Sequence, residues 1–366
     1  MNVPKLRFKE FNDEWNRDKI GNFVIINSGD SPSKFEFYNQ GIPYYKVEQL
    51  NNCLKYQVQT PYYINTNKVI PKGSIIFPKR GAAILLNKIR ILNLDSFFDT
   101  NIMSLTTNGI NNEFLYYYLI KENLSNIADT SSIPQLNNKH IEPYPLIYPR
   151  SSKEQEMVGK TLQLLDKKIE LQTKKIEDLK LFTKKTSKEL IKKYTINLED
   201  KYVQDICKIQ TGKSNTQDKN ENGKYPFYIR SEEITYSDKY IFDCEAVLTI
   251  GDGNIGKVYF YKKGKFDCHQ RVYVMNNFDQ SILGKYFYYY FSNNFYKRAK
   301  SMSAKNTVDS VRLEMISKMK IRIPKIVEQQ KIVNILSTLD NKILFENNKL
   351  KCLISLKKGL MQNMFV

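Results

Sequence analysis

"EQEMVGKTLQLLDKKIELQTKKIEDL" occupies residues 154–179, and "EQQKIVNILSTLDNKILFENNKLKCL" occupies residues 328–353. A shift of 174 residues superposes them without a gap. Glu154-Gln155 falls on Glu328-Gln329, Leu162 on Leu336, and Leu165-Asp166 on Leu339-Asp340. Lys168-Ile169 falls on Lys342-Ile343, and Leu179 on Leu353. Self-similarity at a fixed offset marks a duplication, and it sets the domain plan before any local signal does.

The repeat extends upstream of both helices. "HIEPYPLIYP" ends at Pro149 and "MISKMKIRIP" at Pro324, so Ile141 matches Ile316 and Leu146 matches Ile321. "NEFLYYYLI" (112–120) resembles "GKYFYYYFS" (284–292). "IINSGDSPSK" (25–34) resembles "KIQTGKSNTQ" (208–217), and "GIPYYKVEQL" (41–50) resembles "GKYPFYIRSEEI" (223–234). The order is the same in both halves. Each copy is therefore a globular unit followed by a long helix.

The helices carry a 3,4-spaced apolar series. In the first it runs Leu162, Leu165, Ile169, Gln172, Ile176, Leu179, and in the second Leu336, Leu339, Ile343, Glu346, Leu350, Leu353. Such a seam suits a coiled coil, and polar residues at matching places, here Gln172 and Glu346, can fix its register. Lys-rich flanks leave one narrow apolar stripe on each helix, so pairing is the economical way to bury both. An antiparallel pair would set the globular units at opposite ends, related by a pseudo-two-fold axis. The expected fold class is α+β: two similar mixed α/β domains separated by two long antiparallel coiled-coil helices. The expected boundaries are 1–150, 151–196, 197–325 and 326–366. Strands are expected at 23–26, 74–77, 102–105, 246–250, 257–261 and 271–275, and helices near 111–123 and 280–299.

The chain has 366 residues and a formal net charge of +19. An excess of that size points to nucleic acid or another acidic partner. The five cysteines form no CxxC pair, which argues against a disulfide framework or a zinc knuckle. The N-terminal stretch has no apolar core and no run approaches a membrane span, so a cytoplasmic location is expected.

"TIGDGNIGKVYFYKKG" (249–264) sets Gly251, Gly253 and Gly256 at the spacing of a dinucleotide-binding fingerprint. That fingerprint needs a helix after it, to hold the pyrophosphate at its N-terminus. The residues after Gly256 are "KVYFY", which read as a strand. The glycines then mark a strand–turn–strand connection. It corresponds to "PKRGAA" (78–83) in the first half, with Gly253 opposite Gly81. No P-loop is complete, since Cys207 stands where its first glycine belongs, and no methyltransferase Asn/Asp-Pro-Pro-aromatic motif occurs.

The whole arrangement resembles the specificity (S) subunit of Type I restriction–modification enzymes. The resemblance rests on the lead-in "PKLRFKEFNDEW" (4–15), the "SGDSPS" and "TGKSNT" loops, the strand-ending prolines and the duplicated helices. One departure is that "TINLEDKYVQDI" (195–206) lacks a counterpart to Trp15. The resemblance implies a non-catalytic subunit with two target recognition domains, each reading half of a split, asymmetric site in double-stranded DNA. It implies partners: two methyltransferase (M) subunits and motor–nuclease (R) subunits, which would carry S-adenosylmethionine, ATP and magnesium. No cofactor or metal is expected in this chain. A coiled-coil scaffold that binds nucleic acid outside restriction–modification is the alternative.

Phosphates would be held by Lys, Arg, hydroxyls and the amides of the Gly/Ser loops, and base edges by Arg, Lys, Asn or Gln. The first domain offers Lys46, Lys79, Arg80, Gln135 and Asn137. The second offers Arg230, Asn254, Lys257, Arg271, Lys305 and Asn306.

Overall fold

The structure is a computed structural model that describes residues 2–129, 133–253, 255–302 and 310–366. The chain forms two compact units: Met1–Thr173 with Lys349–Val366, and Lys174–Asn348. Each takes in one globular domain and a portion of both long helices, Ser152–Thr195 and Ile326–Met364.

The first unit opens and closes with a two-stranded antiparallel ribbon, Asn16–Lys19 against Pro145–Tyr148. Between them lies a five-stranded sheet in the order Val24–Ser28, Ile102–Thr107, Ile75–Pro78, Arg90–Leu92, Tyr56–Gln57. Only its last pair is parallel. A smaller sheet orders Tyr63–Ile64, Ile42–Tyr45 and Phe97–Phe98. The second unit repeats the closing ribbon with Asp200–Tyr202 and Lys320–Arg322. Six further strands form one sheet, in the order Lys208–Thr211, Val272–Asn276, Phe242–Ile250, Tyr259–Cys268, Tyr225–Tyr228, Ile234–Ser237. Thr249 pairs with Tyr259 across the antiparallel pair, so the glycines at 251–256 do lie in a strand-to-strand connection, and the next element is the strand Tyr259–Cys268.

Each domain presents one aromatic-rich helix to the long helices: Asn112–Glu122 in the first unit, Gly284–Ser301 in the second. Phe114, Leu115 and Leu119 pack with Val158 and Leu162, and with Met361, Met364 and Phe365. Phe287, Phe291 and Phe295 pack with Ile191, Ile332 and Leu336. A fully buried side chain of this size contributes roughly 1.5–3 kcal/mol. In the first unit Asp166 pairs with Lys357 at 2.5 Å, and in the second Lys175 pairs with Glu346 at 2.5 Å. Within each unit the helices thus run antiparallel.

The repeated Glu-Gln has a geometric reason. Gln155 Oε1 accepts from the Asn111 amide at 2.8 Å while its Nε2 donates to the Pro149 carbonyl at 2.9 Å. Gln329 does the same with the Leu283 amide (2.8 Å) and the Pro324 carbonyl (2.8 Å). One amide side chain therefore ties the start of the domain helix to the end of the closing ribbon. The preceding glutamates differ. Glu154 accepts from Arg7 Nε at 2.7 Å and from Trp15 Nε1 at 3.1 Å. Glu328 accepts from the Lys325 amide at 3.1 Å and caps its own helix. The second copy has no buried glutamate waiting for an indole, which is why it does without a counterpart to Trp15.

The seam positions Leu162, Leu165, Ile176, Leu336 and Leu353 are buried, and Ile169, Leu179, Leu339, Ile343 and Leu350 half-buried. The expectation of a single narrow stripe is corrected. Leu164, Leu171, Leu181, Phe182, Leu344, Phe345, Ile354 and Leu356 are exposed on the same helices. They fall off the 3,4 spacing, so a heptad count passes over them. No helix among the described residues is long and apolar enough to cross a membrane.

Candidate nucleic-acid interface

In the first unit the loop after strand Ile75–Pro78 pairs with a segment far along the chain. The Gly81 amide donates to the Pro134 carbonyl and the Leu136 amide to the Lys79 carbonyl, both at 2.9 Å, and Arg80 bridges Gln135. Lys79, Arg80 and Gln135 are thereby brought together, with Asn137 exposed beyond them. Lys79 Nζ donates to Ser28 Oγ at 3.0 Å, and burial, with Arg80 beside it, lowers the ammonium pKa. Lys46 is half-buried, with Nζ 3.7 Å from the Tyr62 ring centroid. Its charge favours the ionised form of Asp99, and the Asp99 charge in turn acts on Lys79.

The second unit builds the corresponding loop. The Gly251 amide donates to the Arg271 carbonyl and the Val311 amide to the Gly251 carbonyl, both at 2.7 Å, and Asp252 bridges Ser310. Gly81 and Gly253 have the same φ of +81°, a conformation glycine adopts at little cost. Arg230 Nη1 lies 3.4 Å from Asp252 Oδ2. Arg230, Asp252 and Arg271 surround His269, whose pKa is lowered first by burial and next by Arg230. Lys257 is exposed on the same connection. Asn254, Lys305 and Asn306 lie outside the described residues, as do the first two residues of the "SSIPQLNN" stretch.

Two central residues were not among the sequence candidates. The Asp99 amide donates to the Tyr45 carbonyl at 2.9 Å, and the His269 amide donates to the Tyr228 carbonyl at 2.9 Å. Asp99 Oδ1 accepts from the Asn101 amide at 2.7 Å, and His269 Nδ1 accepts from the Arg271 amide at 3.0 Å. They occupy one position of the duplicated fold with different chemistry. Aligning the copies on Phe98 and Cys268 would have paired them.

Two glycines of the Gly/Ser loops pack directly against backbone. A Cβ on Gly29 would lie 2.1 Å from the Phe98 carbonyl oxygen, and one on Gly212 2.0 Å from that of Cys268. Their amides donate to the Ile102 and Val272 carbonyls. These glycines permit close backbone packing. Among the described residues no group of three His, Cys, Asp or Glu side chains could hold a metal ion.

Two duplicated α/β units, each with an interlocked loop that carries basic side chains, define a class of proteins with two similar recognition domains. The family model for the Type I restriction modification DNA specificity domain matches residues 12–181 and again 195–354, and the chain belongs to that family. A Type I restriction enzyme EcoDI specificity subunit of Escherichia coli is 28% identical over 136 residues, 37% of this chain and 29% of its own length. A putative type I restriction enzyme specificity subunit of Haemophilus influenzae is 24% identical over 361 residues, 90% of this chain and 89% of its own. The crystal structure of a Type I restriction–modification S subunit from M. genitalium covers 100% of this chain and 99% of its own at a TM-score of 0.67 and 16% identity. A chain from a structure of type I R-M complex assembly covers 96% of this chain and 97% of its own at a TM-score of 0.60 and 15% identity. At these identities the two structures establish the fold alone.

Proposed function

We propose that this chain is the DNA sequence-recognition subunit of a Type I restriction–modification complex. One observation carries the reading: the same interlocked loop occurs in both units but bears different side chains. Lys79, Arg80 and Gln135 stand in one, and Arg230, Asp252 and Arg271 in the other. Equal scaffolds with unequal faces suit a split site whose halves differ. Residues 1–150 and 197–325 would be the readers, and 151–196 and 326–366 the helices that organise partners.

The exposed apolar side chains of the long helices, such as Leu171, Phe182 and Phe345, would seat two M subunits, since apolar area left in water is favourable to cover. Methyl transfer, ATP-driven motion and cleavage, with S-adenosylmethionine, ATP and magnesium, would belong to the M and R subunits. This chain would do no covalent chemistry and would act in the cytoplasm. Methylome sequencing of cells with and without the gene tests the proposal. Loss of one bipartite methylated motif is expected, and an unchanged methylome in a strain with an active methyltransferase partner overturns it.

A further inference from the structure

We infer that Arg230 and Asp252 together read one G·C base pair in the half-site of the second unit. The inference rests on the recognition role proposed above.

Asp252 precedes Gly253 in a turn, where an aspartate ordinarily accepts from a backbone amide two residues on. Asp99 does so with the Asn101 amide at 2.7 Å, and Asp279 with the Ser281 amide at 2.8 Å. Asp252 differs: its Oδ1 is shielded from solvent and has no hydrogen-bond partner. The contact of its Oδ2 with Arg230 is long, at 3.4 Å, with the two side chains 28% and 51% exposed. A pair so exposed contributes little to stability. The carboxylate therefore serves neither the turn nor the fold to any large extent.

A carboxylate is also unfavourable where a polyanion docks, because it repels phosphates. It gains only where DNA presents a donor, and in the major groove the donors are cytosine N4 and adenine N6. Arg230 supplies two parallel donors next to this acceptor. Donor, donor, acceptor is the complement of guanine N7, guanine O6 and cytosine N4 read across a G·C pair. An A·T pair presents acceptor, donor, acceptor, which sets the thymine O4 acceptor against the carboxylate. The corresponding place in the first unit holds Arg80, bridged to Gln135 as Asp252 is to Ser310. Where the second unit carries Asp252 the first carries a cation, with Asp129 bridged to Gln135 on the adjoining segment, so the two faces offer different patterns.

The test uses the full chain assembled with its methyltransferase subunits, on duplexes carrying the bipartite motif found by methylome sequencing. Each base pair of both half-sites is replaced in turn. The second half-site should contain a G·C pair whose replacement weakens binding roughly ten- to a hundredfold. Asp252→Asn should cut the discrimination against A·T at that pair about tenfold or more, because an amide can donate to thymine O4. Every other position should be unchanged. Arg230→Lys, which keeps the charge but not the fork, should lose guanine preference at the same pair. A second half-site without such a pair, or an Asp252→Asn complex weakened equally on all sequences, overturns the inference and leaves the recognition role intact. A wild-type complex that selects no bipartite site overturns both.

Discussion

The Tyr117 hydroxyl donates to Asp166 Oδ2 at 2.6 Å and bolts the aromatic helix of the first domain to its long helix. The second unit repeats the bolt: Tyr289 donates to Asp340 Oδ2 at 2.5 Å. Burial, then the neighbouring carboxylate, holds both phenols well above their usual pKa, so they stay protonated and donate. The aspartates are those of the repeated Leu-Asp in the long helices.

Tyr289→Phe should cost about 1–3 kcal/mol, the range for a hydrogen bond to a charged group or a stranded acceptor. The cost should also depend on pH. Burial raises the Asp340 carboxyl, and the Tyr289 hydrogen bond opposes that by favouring the charged form. A raised acid binds its proton more readily folded than unfolded. Its contribution to stability is thus full below the unfolded value of about 3.9 and is lost as pH rises through the folded value. Without Tyr289 the folded value moves higher still, so the substitution costs more near neutrality than at about pH 4. Denaturant unfolding at both pH values measures this, and equal costs would show that the hydroxyl does not sense the charge.

Gly29 and Gly81 should respond differently to alanine. At Gly29 the new methyl meets a backbone oxygen at 2.1 Å and the strand must move, so a loss of about 3 kcal/mol is expected. At Gly81 nothing lies within 4 Å and only the positive φ is at stake, which costs roughly 1–2 kcal/mol. Similar losses in thermal unfolding would mean that the close approach at Gly29 relaxes easily.

DNA binding should weaken steeply with salt. A protein neutralising about six to ten phosphates loses roughly a thousandfold or more in affinity between 50 and 200 mM salt. Lys257→Ala should reduce the slope of log affinity against log salt by about one and leave base preferences alone. A flat salt response would show that the +19 charge is spread over surfaces that never meet DNA.

Replacing residues 201–324 with the matching domain of another specificity protein should alter one half-site and spare the other. Two of the three closing-ribbon pairs, Lys201 with Ile321 and Tyr202 with Lys320, lie inside that segment and travel with the exchanged domain. Methylated-motif mapping of the chimera reads the result, and changes in both halves would mean that the domains read jointly.

The duplication, the long helices and the strand–turn–strand connection at Gly251 were all legible in the sequence. Each rests on local periodicity or on one stretch repeating another, and both survive without knowledge of distant neighbours. The identical duties of Gln155 and Gln329 were not legible, though the letters repeat, because their partners lie 44 and 46 residues away along the chain. The exposed leucines off the seam were missed because a heptad count rewards only residues in register. The pairing of Arg80 with Gln135, the shared position of Asp99 and His269, and the unpartnered oxygen of Asp252 belong to tertiary structure alone. Backbone hydrogen bonds between remote loops decide which side chains share a face, and a hydrogen bond forms between whatever backbones the fold brings within reach, whatever side chains they carry. The sequence thus determined that there are two similar readers on long helices, and only the folded chain decided what each of them presents.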